Sequence, residues 1–195
     1  MSLSQLENEF IALRDRMVSE DFAALARLGV PDELTRTFAV VAVGRGVFDG
    51  ELWRPDEDGR RLVVIAVRGE SGIELEFPLP DALIRCGAEI LDLVAIAPRE
   101  NRWATRFGAA CHLGYVPPQF ADPAPTRIHR SPIGWLRAGG QGLCLLTRRP
   151  AEQQDLLLRL RALIGEDIEH GEELQALVSR PLSGPCVFVA QSAAA

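Results

Sequence analysis

Apolar residues change their spacing twice along this chain, and the change limits the folds that it can adopt. Residues 3–18 carry apolar side chains at helical spacing. A second helix, "FAALARL" (residues 22–28), is expected after a cap at Ser19 or Asp21 and ends before Gly29 and Pro31. Residues 37–78 instead form short strand-like runs, separated by turn pairs such as Asp49-Gly50. They are expected to form an antiparallel β-meander, with a bulge or sharp bend at Gly44-Arg45-Gly46.

Helix-like and strand-like segments alternate after Pro132. Strand-like runs at residues 141–147 and 161–167 are separated by a helical segment, residues 149–160. Two strands joined by one helix make a βαβ unit, whose strands are parallel. The sequence therefore predicts an α/β protein, α+β overall. N-terminal helices and the β-meander would be followed by a C-terminal βαβ unit with a small parallel sheet, and "PCVFVAQ" would add a final strand.

A proline-rich stretch marks the best candidate for a domain boundary. Residues 117–130 contain four prolines, which favour an extended connector. We therefore expect a helical cap and β-meander over residues 1–116 and a small α/β region over residues 131–195, unless the chain forms one continuous domain.

Positive charge is concentrated in residues 99–149. This segment has eight arginines and two acids, a charge of +6 in a chain whose net charge is −6. Residues 99–114 are predicted to be helical, with Arg99, Arg102 and Arg106 on one face. Arginines interleaved with aromatic residues are typical of proteins that contact phosphates and stack on bases. The candidate nucleic-acid-binding residues are Arg102, Trp103, Arg106, Arg127, Arg130, Trp135 and Arg137. Alternatively, the arginines pair with acids elsewhere and the aromatic residues belong to the core.

The chain lacks residues that several classes of enzymes and metal sites require. All 21 basic residues are arginine, so the chain has neither the lysine of a Walker A loop nor a Schiff-base lysine. The four cysteines form no C-x-x-C pair, which disfavours a zinc ribbon. The glycines of Gly139-Gly140-Gln141-Gly142 follow a predicted helix and precede a strand, which favours helix C-capping over phosphate binding. No cofactor is expected.

The sequence shows neither a membrane-spanning segment nor a secretory signal. No apolar run approaches the ~20 residues that a transmembrane helix needs. The N-terminal residues lack the basic and apolar regions of a secretory signal. We expect a cytoplasmic protein without membrane contact; its oligomeric state is left open.

Acidic residues cluster after the strand-like run 161–167. Glu166, Asp167 and Glu169 offer the oxygen ligands that Mg²⁺ prefers, at the edge of a parallel sheet where catalytic groups collect. Ordinary capping of the following helix explains the same acids, because negative charge is favoured at a helix N-terminus.

Two resemblances bear on function. The segments "LDLVAIAP", "RWATRFGAACHLG" and "SPIGWLRAGGQGL" resemble uncharacterised proteins carried by prophages and plasmids of alphaproteobacteria. The layout of residues 127–180 is similar to Toprim domains, the metal-binding α/β units of primases and topoisomerases. In that family a glutamate follows the first strand and an Asp-x-Asp a later one. Asp167-Ile168-Glu169 matches the acidic pair loosely, but Thr147-Arg148 stands where the glutamate is expected, which implies a catalytically degraded relative.

Three functional hypotheses follow. The first is a non-enzymatic or degraded accessory protein of a mobile element, which contacts nucleic acid or a nucleic-acid-processing partner, such as a replication protein or nuclease, through the arginine and aromatic residues. The second is a magnesium-dependent phosphoryl-transfer or nuclease enzyme that uses Glu166, Asp167 and Glu169. The third is a phage-encoded inhibitor that acts by protein interaction, with acidic surfaces that imitate nucleic acid.

Overall fold

The computed structural model describes residues 3–69, 89–116 and 124–180, and over these ranges the chain is an α+β protein. The helices are α1 (Leu3–Asp15), α2 (Ser19–Arg27), α3 (Pro132–Arg137), α4 (Pro150–Leu158) and α5 (Ile168–Val178). The strands are β1 (Val41–Asp49), β2 (Leu52–Pro55), β3 (Arg60–Arg68), β4 (Ile90–Ala97), β5 (Arg102–Thr105), β6 (His112–Leu113), β7 (Thr126–His129), β8 (Leu143–Leu145) and β9 (Leu163–Ile164). A π-helical turn (Glu33–Thr37) and a 3-10 turn (Pro98–Glu100) lie between elements.

The first five strands close into a barrel with the order β1-β2-β5-β4-β3. All neighbours are antiparallel except β2 and β5, which meet through the parallel pair Leu52 and Thr105. The expected antiparallel strands are therefore present, but they do not form a simple meander, because β3 pairs with β1 instead of β2.

Two glycines, Gly46 and Gly59, allow the turn that connects β2 to β3 to pass over β1. Gly46 pairs with Pro55 on one side and with Arg60 on the other, so the connecting turn passes over it. A Cβ atom on Gly59 would lie 2.5 Å from the Gly46 carbonyl oxygen, which no larger residue could accommodate. Of the bulge or sharp bend predicted at residues 44–46, the bulge is wrong, since β1 keeps a continuous register there. The glycines serve close backbone approach instead.

The barrel interior is filled by one residue cluster to which every strand contributes. Alternate residues of each strand point inward, and several of them are alanines, which leave room for the large Trp53 ring. Leu6 and Phe10 of α1 join this cluster, so α1 completes the barrel core. The Trp53 indole donates a hydrogen bond to the Leu93 carbonyl oxygen (3.0 Å), which satisfies its buried N–H.

The second sheet has the order β6-β8-β7-β9. β7 is parallel to both β8 and β9, whereas β6 is antiparallel to β8. The predicted parallel sheet is therefore present, but β8 and β9 are not neighbours. The strand between them, β7, comes from the end of the proline-rich connector, where the sequence predicted extended chain without a sheet partner.

The two faces of this sheet are buried against different layers. On β8, Leu143 and Leu145 pack with α4 and α5, while Cys144 packs with the outer face of the barrel. Ile133 and Leu136 of α3 pack in the same cluster as Cys144. A common core therefore joins the barrel to the second sheet.

The predicted helix over residues 99–114 is wrong. The chain turns at Asn101, in the left-handed conformation (φ 48°), and returns along β4 as β5, with pairs from Ala97–Arg102 to Val94–Thr105. Pairing with a long buried strand outweighs the weak helical propensity of the segment. The arginines that were expected on one helix face consequently lie on a turn, a strand and a loop.

None of the helices in the described ranges is long and apolar enough to cross a membrane. The predicted strands at residues 72–79 and "PCVFVAQ", and most of the connector, lie outside the described residues.

Candidate functional site

Arg130 lies among acidic residues that follow β9, and two of them, Asp167 and Glu169, were predicted as magnesium ligands. It follows β7, and its guanidinium lies 3.1 Å from Asp167, 3.9 Å from Glu169 and 2.8 Å from Glu173. The hydrogen bonds that Arg130 donates to Glu173 and Asp167 raise the pKa of Arg130 above its usual value. The positive charge that these carboxylates attract is therefore supplied by the chain itself.

The three candidate metal ligands do not converge. Asp167 caps α5 by accepting the His170 backbone N–H (2.7 Å), and this bond, with Arg130, lowers the pKa of Asp167. Glu166 instead contacts His129, and Glu169 is 83% exposed. Within residues 3–69, 89–116 and 124–180, no group of three His, Cys, Asp or Glu side chains could hold a metal ion.

His129 and Glu166 are hydrogen bonded to each other at the carboxyl ends of β7 and β9. His129 is buried, with Nε2 2.9 Å from the Gln141 carbonyl oxygen and Nδ1 3.2 Å from Glu166 Oε1. Because a carbonyl oxygen only accepts, Nε2 must carry a proton. The contact with Glu166 then needs a second proton, either on Nδ1 or on the carboxyl group. The pair ties together the ends of two parallel strands.

His170 is a second buried histidine beside this pair. Its Nδ1 accepts the Glu166 backbone N–H (3.1 Å), so this nitrogen carries no proton. Burial, together with the nearby Arg130 charge, lowers the pKa of His170 below its usual value. Folding therefore favours the uncharged ring.

This shift predicts a loss of stability in mild acid. The unfolded chain takes up a proton at His170 near pH 6.5, whereas the folded chain resists it, so the free energy of unfolding falls as the pH drops below about 6.5. In His170→Gln this contribution disappears. Urea unfolding of both proteins at pH 7.5, 6.5 and 5.5 should show a smaller decrease for the variant, and equal decreases would rule out His170 as the source.

Most of the arginine and aromatic side chains that were predicted to contact nucleic acid instead contact other parts of the protein. Trp135 is 4% exposed and belongs to the core, so its ring offers no face for stacking on a base. The Arg137 side chain donates to the Leu28 carbonyl oxygen (2.7 Å) and so joins α3 to the end of α2. Arg106 pairs with Glu9 of α1 at 3.2 Å, and about four fifths of each side chain is buried.

The remaining candidates lie on two elements. Arg127 is an exposed residue of β7, in the second sheet. Arg102 and Trp103 lie on β5 of the barrel. The charge segment defined by sequence position is therefore divided among separate parts of the molecule.

Guanidinium groups and aromatic rings are paired in the region around β5. The successive residues Arg102 and Trp103 point to opposite sides of the strand, and Trp103 packs against the core between the barrel and the second sheet. We call the region the β5 face, and its members are Phe48, Leu52, Arg102, Trp103, Phe107 and Arg148. The Arg102 guanidinium lies 4.6 Å from the centre of the Phe48 ring, and that of Arg148 lies 5.7 Å from the Trp103 ring. Phe107 stacks with Arg106 at 4.8 Å. These are the distances of cation–π contacts.

Parts of the β5 face are open to solvent. Phe107 is 43% exposed and Leu52 is 42% exposed, large fractions for apolar side chains. They are brought together because Leu52 pairs with Thr105, two residues before Phe107. Three members, Phe48, Leu52 and Arg148, come from outside the β5 segment. Nothing in the sequence pointed to Phe48 or Leu52, and Arg148 counted only as one of the eight arginines of residues 99–149. Barrel closure and the docking of the second sheet place all three there.

A buried carboxylate holds the loop that presents Phe107. Asp92 of β4 is fully buried and accepts backbone N–H groups at 2.7–3.3 Å. The donors are Leu93, Arg106, Phe107, Ala109 and Ala110. The sequence offered one overlooked signal for this role, an acid inside an apolar strand, which must be hydrogen bonded when buried.

The chain has no detected relatives. Comparison with protein-family models, curated proteins and solved structures finds no match.

Proposed function

We propose that this chain is a non-enzymatic accessory protein of a mobile element that binds single-stranded nucleic acid through the β5 face. The observation that carries the proposal is the set of guanidinium–aromatic contacts around β5, at Phe48, Trp103 and Phe107. Base stacking on aromatic rings, beside arginines that contact phosphates, is how single strands are bound without strong sequence preference.

The arginines of the β5 face differ in how readily they reach a phosphate. Arg102 donates to the Gly50 carbonyl oxygen (3.2 Å), and no carboxylate partner is found for it among the described residues. Arg148 pairs with Glu51 at 3.1 Å, but both side chains are more than half exposed. An exposed ion pair of this kind contributes at most about 1 kcal/mol. A phosphate can therefore replace Glu51 at little cost.

The acidic cluster around Arg130 supports a binding role over metal-dependent catalysis. A guanidinium at 3.1 Å from Asp167 and 3.9 Å from Glu169 competes with a cation for those oxygens. Glu166, the third candidate ligand, is engaged by His129. A magnesium-dependent reaction would require both contacts to break first.

Fluorescence anisotropy with a labelled 20-nucleotide single strand tests the proposal. We expect wild-type protein to bind at ~50 mM salt and to lose affinity as salt rises, because counterions are released. Arg102→Gln should weaken binding and reduce the salt slope by about 0.7, the value for one phosphate of a single strand. Phe107→Ala should weaken binding about tenfold, the effect of losing one stacked base.

Arg27→Gln on α2 is the matched control, since Arg27 is an exposed arginine outside the β5 face. It should bind like the wild type. Absence of binding at low salt, or equal losses in Arg27→Gln and Arg102→Gln, would refute the proposal. A clear preference for duplex over single strands would refute the stacking mode.

A further inference from the structure

A groove of about 560 Å³ lies away from the β5 face, between the α1–α2 corner and the outer surface of β1 and β3. Its floor includes Leu13 of α1 and Val43 of β1. Arg16, Arg45 and Arg61 line it from three different elements. The volume is within the range of small-molecule sites in proteins.

Two of these arginines form an unfavourable pair. Arg45 and Arg61 are directly opposite each other on neighbouring antiparallel strands, which places their side chains on the same face. Like charges in this position destabilise a sheet. β1 and β3 therefore hold two positive charges next to each other, although strand pairing itself needs neither.

Asp21 compensates only one member of this pair. It is 4% exposed, contacts the Arg61 guanidinium through Oδ1 and accepts the Val18 backbone N–H through Oδ2 (3.0 Å). Both of its oxygens are thus in use. Asp21 pairs with Arg61, and among the described residues no ion pair joins Asp21 to Arg45.

Two guanidinium groups remain without carboxylate partners among the described residues. Arg45 donates one hydrogen bond to the Gly59 carbonyl oxygen (3.0 Å). For Arg16 the described part of the chain contains no hydrogen bond or ion pair. The acids on the rim are Asp56 and Glu57; Asp56 Oδ1 accepts the Asp58 backbone N–H of its own turn, and Glu57 is exposed.

We propose that this groove binds a small organic monophosphate, of the size of a nucleoside monophosphate. Arg16 and Arg45 bind the phosphate oxygens, because a planar guanidinium donates two parallel hydrogen bonds to such a group. The apolar part of the ligand lies on Leu13 and Val43. The site is independent of the β5 face.

Isothermal titration calorimetry with uridine monophosphate and with inorganic phosphate tests the site. We expect saturable binding of the nucleotide and at least tenfold weaker binding of inorganic phosphate, which lacks the apolar part. Arg16→Gln and Arg45→Gln should each weaken nucleotide binding about tenfold, since each removes a charge-assisted hydrogen bond.

Two controls separate this site from the rest of the molecule. Arg27→Gln and Arg102→Gln should leave nucleotide binding unchanged. Because Arg45 also donates to Gly59, thermal unfolding of Arg45→Gln must first confirm that it folds, and Arg16→Gln carries the test if it does not. Three results would each overturn the proposal. The first is no nucleotide binding at about 5 mM, a concentration about fiftyfold above a dissociation constant of ~0.1 mM. The others are unchanged affinity in Arg16→Gln and equal affinity for inorganic phosphate.

Discussion

Replacing Asp92 with alanine is expected to lower the free energy of unfolding by about 4 kcal/mol, because buried backbone donors lose a charged acceptor. Asp92 is 0% exposed, and its two oxygens accept five backbone N–H groups from β4 and from the loop after β5. An N–H group left buried without an acceptor costs about 1–3 kcal/mol. Urea unfolding followed by circular dichroism measures the loss.

Asp92→Asn separates the two halves of this network. Oδ1 accepts the N–H groups of Leu93, Arg106 and Phe107, whereas Oδ2 accepts those of Ala109 and Ala110. An amide keeps one acceptor and turns the other into a donor that faces N–H groups. We therefore expect an intermediate loss of stability.

Asp58→Ala, at an exposed acid of the β2–β3 turn, serves as the control and should change stability by less than about 0.5 kcal/mol. If Asp92→Ala were no more destabilising than Asp58→Ala, the carboxylate would not be the element that organises the loop. Because that loop presents Phe107, the Asp92 variants should also weaken nucleic-acid binding where they remain folded.

Gly142→Ala is expected to destabilise the protein by roughly 3–5 kcal/mol, through both backbone strain and a steric clash. Gly142 precedes β8 in the left-handed region (φ 76°), and a Cβ atom there would lie 2.4 Å from the Arg127 carbonyl oxygen of β7. The clash would push apart the parallel pair β7–β8. Thermal unfolding should show a large decrease in Tm.

Gly139→Ala provides a matched comparison three residues away. Gly139 also has a positive φ (72°), but a Cβ atom would meet nothing within 4 Å. It should therefore cost only the left-handed conformation, about 1–2 kcal/mol. Equal effects of the two substitutions would show that the contact with β7 is unimportant.

The same glycines show what local sequence can predict. The sequence predicts that they end a helix and precede a strand, and the structure confirms this: the Gly140 N–H donates to the Trp135 carbonyl oxygen (3.1 Å) after α3 ends. Caps, turns and amphipathic helices depend on residues close in sequence, so their signals are complete within a short window.

Long-range pairing could not be predicted in the same way. β5 carries a pattern that fits a helix equally well, and only its pairing with β4 decides the matter. β7 is four residues long and lies beside prolines, so nothing local shows that it occupies the centre of the second sheet. Short strands acquire their identity from their neighbours.

The candidate site shows the same division. Arg102 and Trp103 were found because arginine and aromatic residues interleave within one segment. Arg130 and Asp167 were both named, but as parts of different sites, and the structure joins them as an ion pair. Phe48 could not be found, and Arg148 was only one of eight arginines in the basic segment, since they lie 54 and 46 positions away from Arg102 in the chain.

Photocrosslinking to a single-stranded oligonucleotide that contains 5-bromouracil tests the central claim most directly. Trypsin cleaves after arginine, so Trp103 falls in the peptide 103–106 and Phe107 in the peptide 107–127. The β5 face predicts that the adducts map to these two peptides and that Phe107→Ala removes the second. Adducts confined to α4 and α5, or no adduct under conditions where the protein binds, would contradict it.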